Sequence, residues 1–170
     1  MLIQHINLVN DYHSSHKRER SDMPKVIEWL NTQLDLISIR EATREEQKKD
    51  VDLVLTTSKA LRTVEVKIRY SDYNDFLIEV VSSHTKNTKG WIYKSKADLL
   101  VYIIIKNNKI VSGRIMNFVK LRKWWDTDGW LLNLPEIRGT TKTSRFSYSS
   151  INYAVPWSTI PSYCHPEARL

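Results

Sequence analysis

Three side chains in the stretch VDLVLTTSKALRTVEVKIRY, residues 51–70, are of the types that metal-assisted hydrolysis uses: Asp52, Glu65 and Lys67. Side chains alternate across a strand, so Val64, Val66 and Ile68 share one face while Glu65 and Lys67 share the other. In the preceding run Val51, Leu53 and Leu55 face one way, and Asp50 and Asp52 the other. If the two runs pair, Asp52 lies beside Glu65, with Lys67 one pleat further along. Carboxylates held that close repel one another unless a divalent cation sits between them. Magnesium suits such a place, because it takes one or two carboxylates together with phosphate oxygens of a substrate. A lysine within reach could position or deprotonate an attacking water, or offset charge developing at phosphorus. The competing reading is a solvated strand face carrying an ordinary Glu–Lys pair of little energetic weight.

These residues need a sheet to hold them. Residues 51–57 and 61–70 read as strands joined by a turn through Thr57, Ser58 and Lys59. DFLIEVVSS (75–83) reads as a further strand, and ADLLVYIIIK (97–106) is so apolar that it predicts a central strand covered on both faces. A KNNK turn leads into the strand IVSGRIMN. Upstream, DMPKVIEWLNTQL (22–34) predicts a helix, with Asp22 as N-cap, Pro24 in the first turn and an apolar stripe of Val26, Ile27, Leu30 and Leu34. The polar segment 11–21 before it is open between helix and mobile coil. LDLISIREAT (34–43) alternates as a strand, followed by a charged break, REEQKK. NFVKLRKWWD (117–126) predicts a second helix, and SSINYAVPWSTI a last short strand and turn. Together these predict an α/β domain around one mixed central sheet flanked by helices, occupying residues 1–170 as one unit.

The composition agrees with a folded domain. Of 170 residues, 41% are hydrophobic and only four are glycine, and a chain of this length hides roughly 70% of its unfolded surface. The single cysteine, Cys164, excludes an internal disulfide and a multi-cysteine zinc site. The N-terminus has no signal-peptide pattern, and the longest apolar run, LLVYIII, is far too short to span a membrane. The expectation is a cytoplasmic protein without a membrane segment or small-molecule cofactor. Its net charge of +7 favours a polyanionic partner. Residues 84–96, HTKNTKGWIYKSK, hold Lys86, Lys89, Lys94 and Lys96 and no acid, with Trp91 and Tyr93 interleaved, a composition suited to nucleic-acid backbone. Trp91 is equally suited to the core. RGTTKTSRFSYSS (138–150) has three basic residues and many hydroxyls able to bond phosphate oxygens.

The spacing from VDL to EVK, with a helix before it and apolar strands after it, resembles the core motif of the PD-(D/E)xK nuclease superfamily. NDFLIEVVSS and KGWIYKSKADLLVYIII are similar to downstream segments of a phage-associated branch of small, single-domain members. The resemblance covers residues 14 to 106. It implies a restriction-endonuclease-like core and a DNA endonuclease using Mg2+, with Mn2+ as a substitute. Asp52 and Glu65 would be metal ligands together with the carbonyl of Val66, and Lys67 the catalytic lysine. A homodimer acting on DNA in a bacterial, archaeal or phage-infected cell would be usual. Val51 stands where the family often has proline, and Asp50 competes with Asp52 for the first position. The family often adds an acid from the first helix, for which Glu19, Asp22 and Glu28 are candidates.

Glu79 could complete the metal site or simply face solvent. Trp124 and Trp125 stand at helical spacing with Phe118 and Leu121, which favours packing over base stacking. His13 and His16 lack a third ligand, and Cys164–His165 lacks a positioned base. Two other functions fit the same residues: a nucleic-acid-binding module on this scaffold without catalysis, and a protein-interaction factor whose charge is incidental.

Overall fold

The strand Leu99–Lys106, β7, explains its own composition: seven of its eight residues are buried, and alternate ones enter two different cores. Leu99, Val101, Ile103 and Ile105 point to one side, and Leu100, Tyr102 and Ile104 to the other. A strand apolar on both faces must be covered on both faces. The computed structural model describes residues 8–142 and 147–165, with side chains from His16 onward except that of Lys142.

β7 is part of a five-stranded sheet in the order β2-β3-β4-β7-β8. Strands β2 (Ser38–Glu41), β3 (Leu53–Thr56) and β4 (Leu61–Arg69) are antiparallel neighbours, β7 runs parallel to β4, and β8 (Lys109–Asn117) returns antiparallel. Asn107 and Asn108, both at positive φ (49° and 64°), make the tight turn into β8, a conformation that asparagine tolerates well. The parallel β4–β7 pair requires a long crossover. It runs through β5 (Asp75–Ser83), β6 (Thr88–Lys89) and the one-turn helix α3 (Trp91–Lys94). β5 and β6 belong to a second five-stranded sheet, β1-β9-β10-β5-β6, which includes β1 (Leu8–Asp11), β9 (Glu136–Lys142) and β10 (Ser147–Pro156). There β1 pairs with β9 in parallel and the other contacts are antiparallel.

One face of the first sheet carries the helix α1 (Tyr12–Gln33), whose Val26 and Leu30 meet Leu53, Leu55, Val64 and Val66. The opposite face meets Phe76 and Ile78 of β5, Val155 of β10, and Phe118, Leu121, Trp124 and Trp125 of the helix α4 (Phe118–Thr127). Both tryptophans of the Trp124–Trp125 pair pack inward, and Trp91 packs edge-on to Phe76. The expected α/β class, mixed sheet and flanking helices are present, but the strands form two sheets rather than one, because β5 leaves the first sheet to pair with β10.

Several boundaries differ from the sequence reading. α1 begins at Tyr12 rather than Asp22, so Pro24 lies in its interior and Asp22 is no N-cap. Asp22 is instead buried, accepting from the Tyr70 hydroxyl at 3.1 Å and pairing with Lys25. The strand expected over 34–43 is confined to β2. The charged break after it holds a short helix, α2 (Arg44–Gln47), started by a capping box of Thr43 and Glu46. The basic, hydroxyl-rich 138–150 segment contributes paired strands to β9 and β10, and residues 143–146 lie outside the described part. Among the described residues no helix is long and apolar enough to cross a membrane.

Candidate active site

The three residues singled out in the sequence meet at a notch in the first sheet. β3 starts at Leu53, paired with Val64, while β4 continues to Arg69 with an edge that β3 no longer covers. Asp52 occupies the step. Its N–H donates to the Val64 carbonyl at 2.8 Å, and its Oδ2 accepts the Val66 N–H at 2.7 Å. The N–H and C=O of one residue in an extended strand leave on the same side, so the Val66 carbonyl lies along this uncovered edge too.

Glu65 projects from the opposite face to Val64 and Val66 and is only 3% exposed. Its Oε1 accepts from Lys67 Nζ at 2.6 Å. Among the described residues, its Oε2 is the one buried side-chain nitrogen or oxygen with no hydrogen-bond partner. A carboxylate oxygen orphaned in this way is costly, and native structures rarely carry one without a reason. Burial pushes the Glu65 carboxyl up to about 7 from 4.5, against the pull of Lys67.

Lys67 serves more carboxylates than this one. Glu19 of α1, Asp52 and Glu79 of β5 all feel its charge, and loss of solvent raises the pKa of each. Glu19 is exposed overall, yet the water about its carboxyl is partly displaced by the cavity wall. Burial works against the Lys67 ammonium, but Glu65, Asp52 and Glu79 outweigh it and raise its pKa above the ordinary lysine value. About a third of the side chain (32%) remains accessible, beside the face of Trp91 at 5.6 Å. Lys67 is therefore an ammonium at neutral pH.

The notch opens into a cavity of about 400 Å3 lined by His16, Glu19 and Arg20 of α1 and by Asp52, Val66 and Lys67. The α1 residues sit at helical spacing along one side of the helix. Of the three helix acids, Glu19 alone faces the cavity: Asp22 is engaged with Tyr70 and Lys25, and Glu28 is exposed. The choice between the two aspartates is equally plain. Asp50 adopts a left-handed backbone (φ 52°), pairs with Lys94 at 2.8 Å and accepts from Ser95 Oγ through its carbonyl. Asp52 is the one on the cavity wall. Glu79 lies across from Lys67 and accepts the Trp91 N–H.

Of the four lysines in the 84–96 segment, Lys94 is tied to Asp50, while Lys86, Lys89 and Lys96 are exposed. Tyr93 is used internally, its hydroxyl accepting from Trp125 Nε1 at 3.1 Å. Cys164 is buried and its thiol is pushed up to about 11 by burial, which leaves it protonated and unreactive. The side chain of His13 lies outside the described residues. Arg20, Glu41 and Gln47, which no sequence motif singled out, are parts of the cavity wall, as is the exposed His16. The i, i+4 spacing of His16 and Arg20 to one side of Glu19 was the available signal.

Among the described residues, no group of three or more His, Cys, Asp or Glu side chains converges closely enough to hold a metal ion by itself. No family model, curated protein or solved structure matches the chain.

Proposed function

We propose that this protein is a divalent-metal-dependent DNA endonuclease with a PD-(D/E)xK-type site and a restriction-endonuclease-like core. The observation that carries the reading is the orphaned Glu65 Oε2, buried beside Asp52 and Lys67 at the start of β3. The donor set suits magnesium or manganese: the Asp52 carboxylate, Glu65 Oε2 and the Val66 carbonyl are all oxygens, and magnesium completes its shell with water and substrate phosphate rather than a third carboxylate. A cation held there would supply Lewis acidity toward a phosphodiester. The chain order also supports the core: a helix, three antiparallel strands, then a strand parallel to the third.

Hydrolysis bonds a water oxygen to phosphorus, breaks the ester P–O bond and leaves a proton on the departing oxygen. Because Lys67 is held protonated, its role is that of a hydrogen-bond donor and fixed positive charge, not a general base. It orients the water and offsets charge gathering on the phosphoryl oxygens. Asp52 is oriented by the Val66 N–H, and Glu65 by Lys67. Glu19 on the opposite wall bounds the approach. Exposed Lys86, Lys89 and Lys96 supply backbone contacts, and a homodimer would let two sites reach both strands.

The test is a cleavage panel of linear, nicked, flapped and four-way DNA with Mg2+ or Mn2+. Cleavage that disappears in Asp52→Asn and Lys67→Ala is expected. Salt-sensitive DNA binding with no cleavage under any divalent ion would replace this reading with a non-catalytic binding module.

A further inference from the structure

A second cavity, of about 450 Å3, lies where the two basic, hydroxyl-rich segments of the sequence come together. Its wall is made by Ser82 and Ser83 at the end of β5, Thr85 and Lys86 in the following turn, and Ser147 and Tyr148 at the start of β10. The His84 N–H donates to the Ser149 carbonyl at 2.8 Å and ties the two segments to each other. The hydroxyls are set in place by local bonds: Ser82 Oγ stands 2.9 Å from Thr88 Oγ1 and donates to the Lys89 carbonyl at 3.0 Å, and Ser83 Oγ lies 3.3 Å from Thr85 Oγ1.

The chemistry of this wall differs from that of the notch. Among the described residues, five hydroxyls and one ammonium line it, with no carboxylate, whereas Glu19, Glu41 and Asp52 line the first cavity. The Ser82 proton is spent on the Lys89 carbonyl; the other hydroxyls can donate to anionic oxygens without adding charge, and a lysine supplies the point charge. That combination selects a phosphate ester. The volume exceeds what a bare phosphate fills and admits the attached sugar, against which the Tyr148 ring can rest. β5 also links the two places. From Glu79, across from Lys67, to Ser83 is four residues, about 13 Å of strand, which is the axial rise of about four nucleotides of duplex.

We propose that this cavity is a second phosphodiester-binding site, which grips the DNA backbone about four nucleotides from the scissile phosphate. It rests on the nuclease reading only for its place relative to cleavage; its affinity for backbone phosphate is independent of catalysis. The experiment measures binding of a labelled 20-base-pair duplex to the full chain in EDTA between 50 and 300 mM salt. Lys86→Ala should weaken binding severalfold and flatten the plot of log affinity against log salt by about 0.9, the release of one phosphate's counterions. Lys86→Arg should restore both, and Lys109→Ala, at the start of β8, should change neither. An unchanged slope in Lys86→Ala, or an equal loss in Lys109→Ala, overturns the assignment. Lys86-dependent binding of a free mononucleotide with duplex affinity unaffected would also overturn it, in favour of a nucleotide pocket. Because no divalent ion is present, a chain that never cleaves DNA but shows the Lys86 effect refutes the nuclease and leaves this site standing.

Discussion

Glu65→Gln puts a number on the cost of the candidate site. Burial holds the Glu65 carboxyl at about 7 in the folded protein against an ordinary 4.5. Between those values the folded chain keeps a proton that the unfolded chain has lost, so stability falls as pH rises through the window. At about 1.4 kcal/mol per unit, the full loss is about 3 kcal/mol, with about 2.5 kcal/mol of it between pH 5 and pH 8. Glutamine has the same shape and no proton to lose. Its own effect on packing and on the Lys67 contact is nearly the same at both pH values and drops out of the comparison. The stability of Glu65→Gln relative to the parent chain should therefore rise by about 2.5 kcal/mol from pH 5 to pH 8. Urea unfolding in EDTA, followed by the fluorescence of the six tryptophans, measures it. A difference that stays constant within about 0.5 kcal/mol would mean that Glu65 ionises freely in the fold. The orphaned oxygen would then be solvated or partnered, and the case for a cation at this place would fall.

Four further outcomes follow from the same geometry. Mg2+ should raise the unfolding temperature of the parent chain, by about 2.7 kcal/mol of stability at a hundredfold excess over its dissociation constant, more at pH 8 than at pH 5, and not in Asp52→Asn. Lys67→Ala should lower cleavage by about a hundredfold or more and steepen the fall of stability with pH, since Glu65 loses the partner that restrains its pKa; pH-resolved unfolding beside the cleavage assay checks both. Gly90→Ala should cost about 1–3 kcal/mol in urea unfolding, because its Cβ would stand 2.2 Å from the Glu79 carbonyl where α3 presses on β5. Trp125→Ala, removing a ring buried to 2%, should cost about 3–5 kcal/mol in the same assay.

The parts legible in the sequence are those whose side chains face an apolar core. β5 begins and ends at the expected residues, and the unbroken apolar run of β7 signalled two covered faces. α1 was cut short because residues 16–20, HKRER, face the cavity and solvent, so the helix carries no apolar stripe there. β9 has no signature in the sequence because EIRGTTK offers little alternation, its pairing with β1 and β10 being fixed by backbone contacts distant in sequence. The preference for Asp52 over Asp50 rested on motif similarity; its physical basis is the left-handed turn at Asp50, which no residue pattern announced. Likewise, nothing local indicated that the ends of β5 and the start of β10 share a cavity.

The charge balance around Lys67 is what a purely structural ion pair fails to explain. Glu19, Asp52, Glu65 and Glu79 all feel this ammonium, with Lys94 also acting on Glu79 and His16 on Glu19 and Asp52, so the carboxylates outnumber the lysines that face them. A buried pair kept for stability is matched in charge and hydrogen-bonded throughout, and apolar residues of similar volume usually serve as well. Here one oxygen is left without a partner and each carboxyl is harder to ionise than in water. A phosphodiester brought to this notch alone would deepen the negative excess. On the proposed reading, a divalent cation would offset most of that excess, give Glu65 Oε2 a partner and ease the approach of phosphate. On that reading the cation would precede or accompany DNA at the notch, while the second cavity, whose described lining has no carboxylate, would hold backbone without it. A net charge of +7 would draw a polyanion to the protein; the shortage of positive charge around Lys67 would then admit it to the notch only with the metal in place.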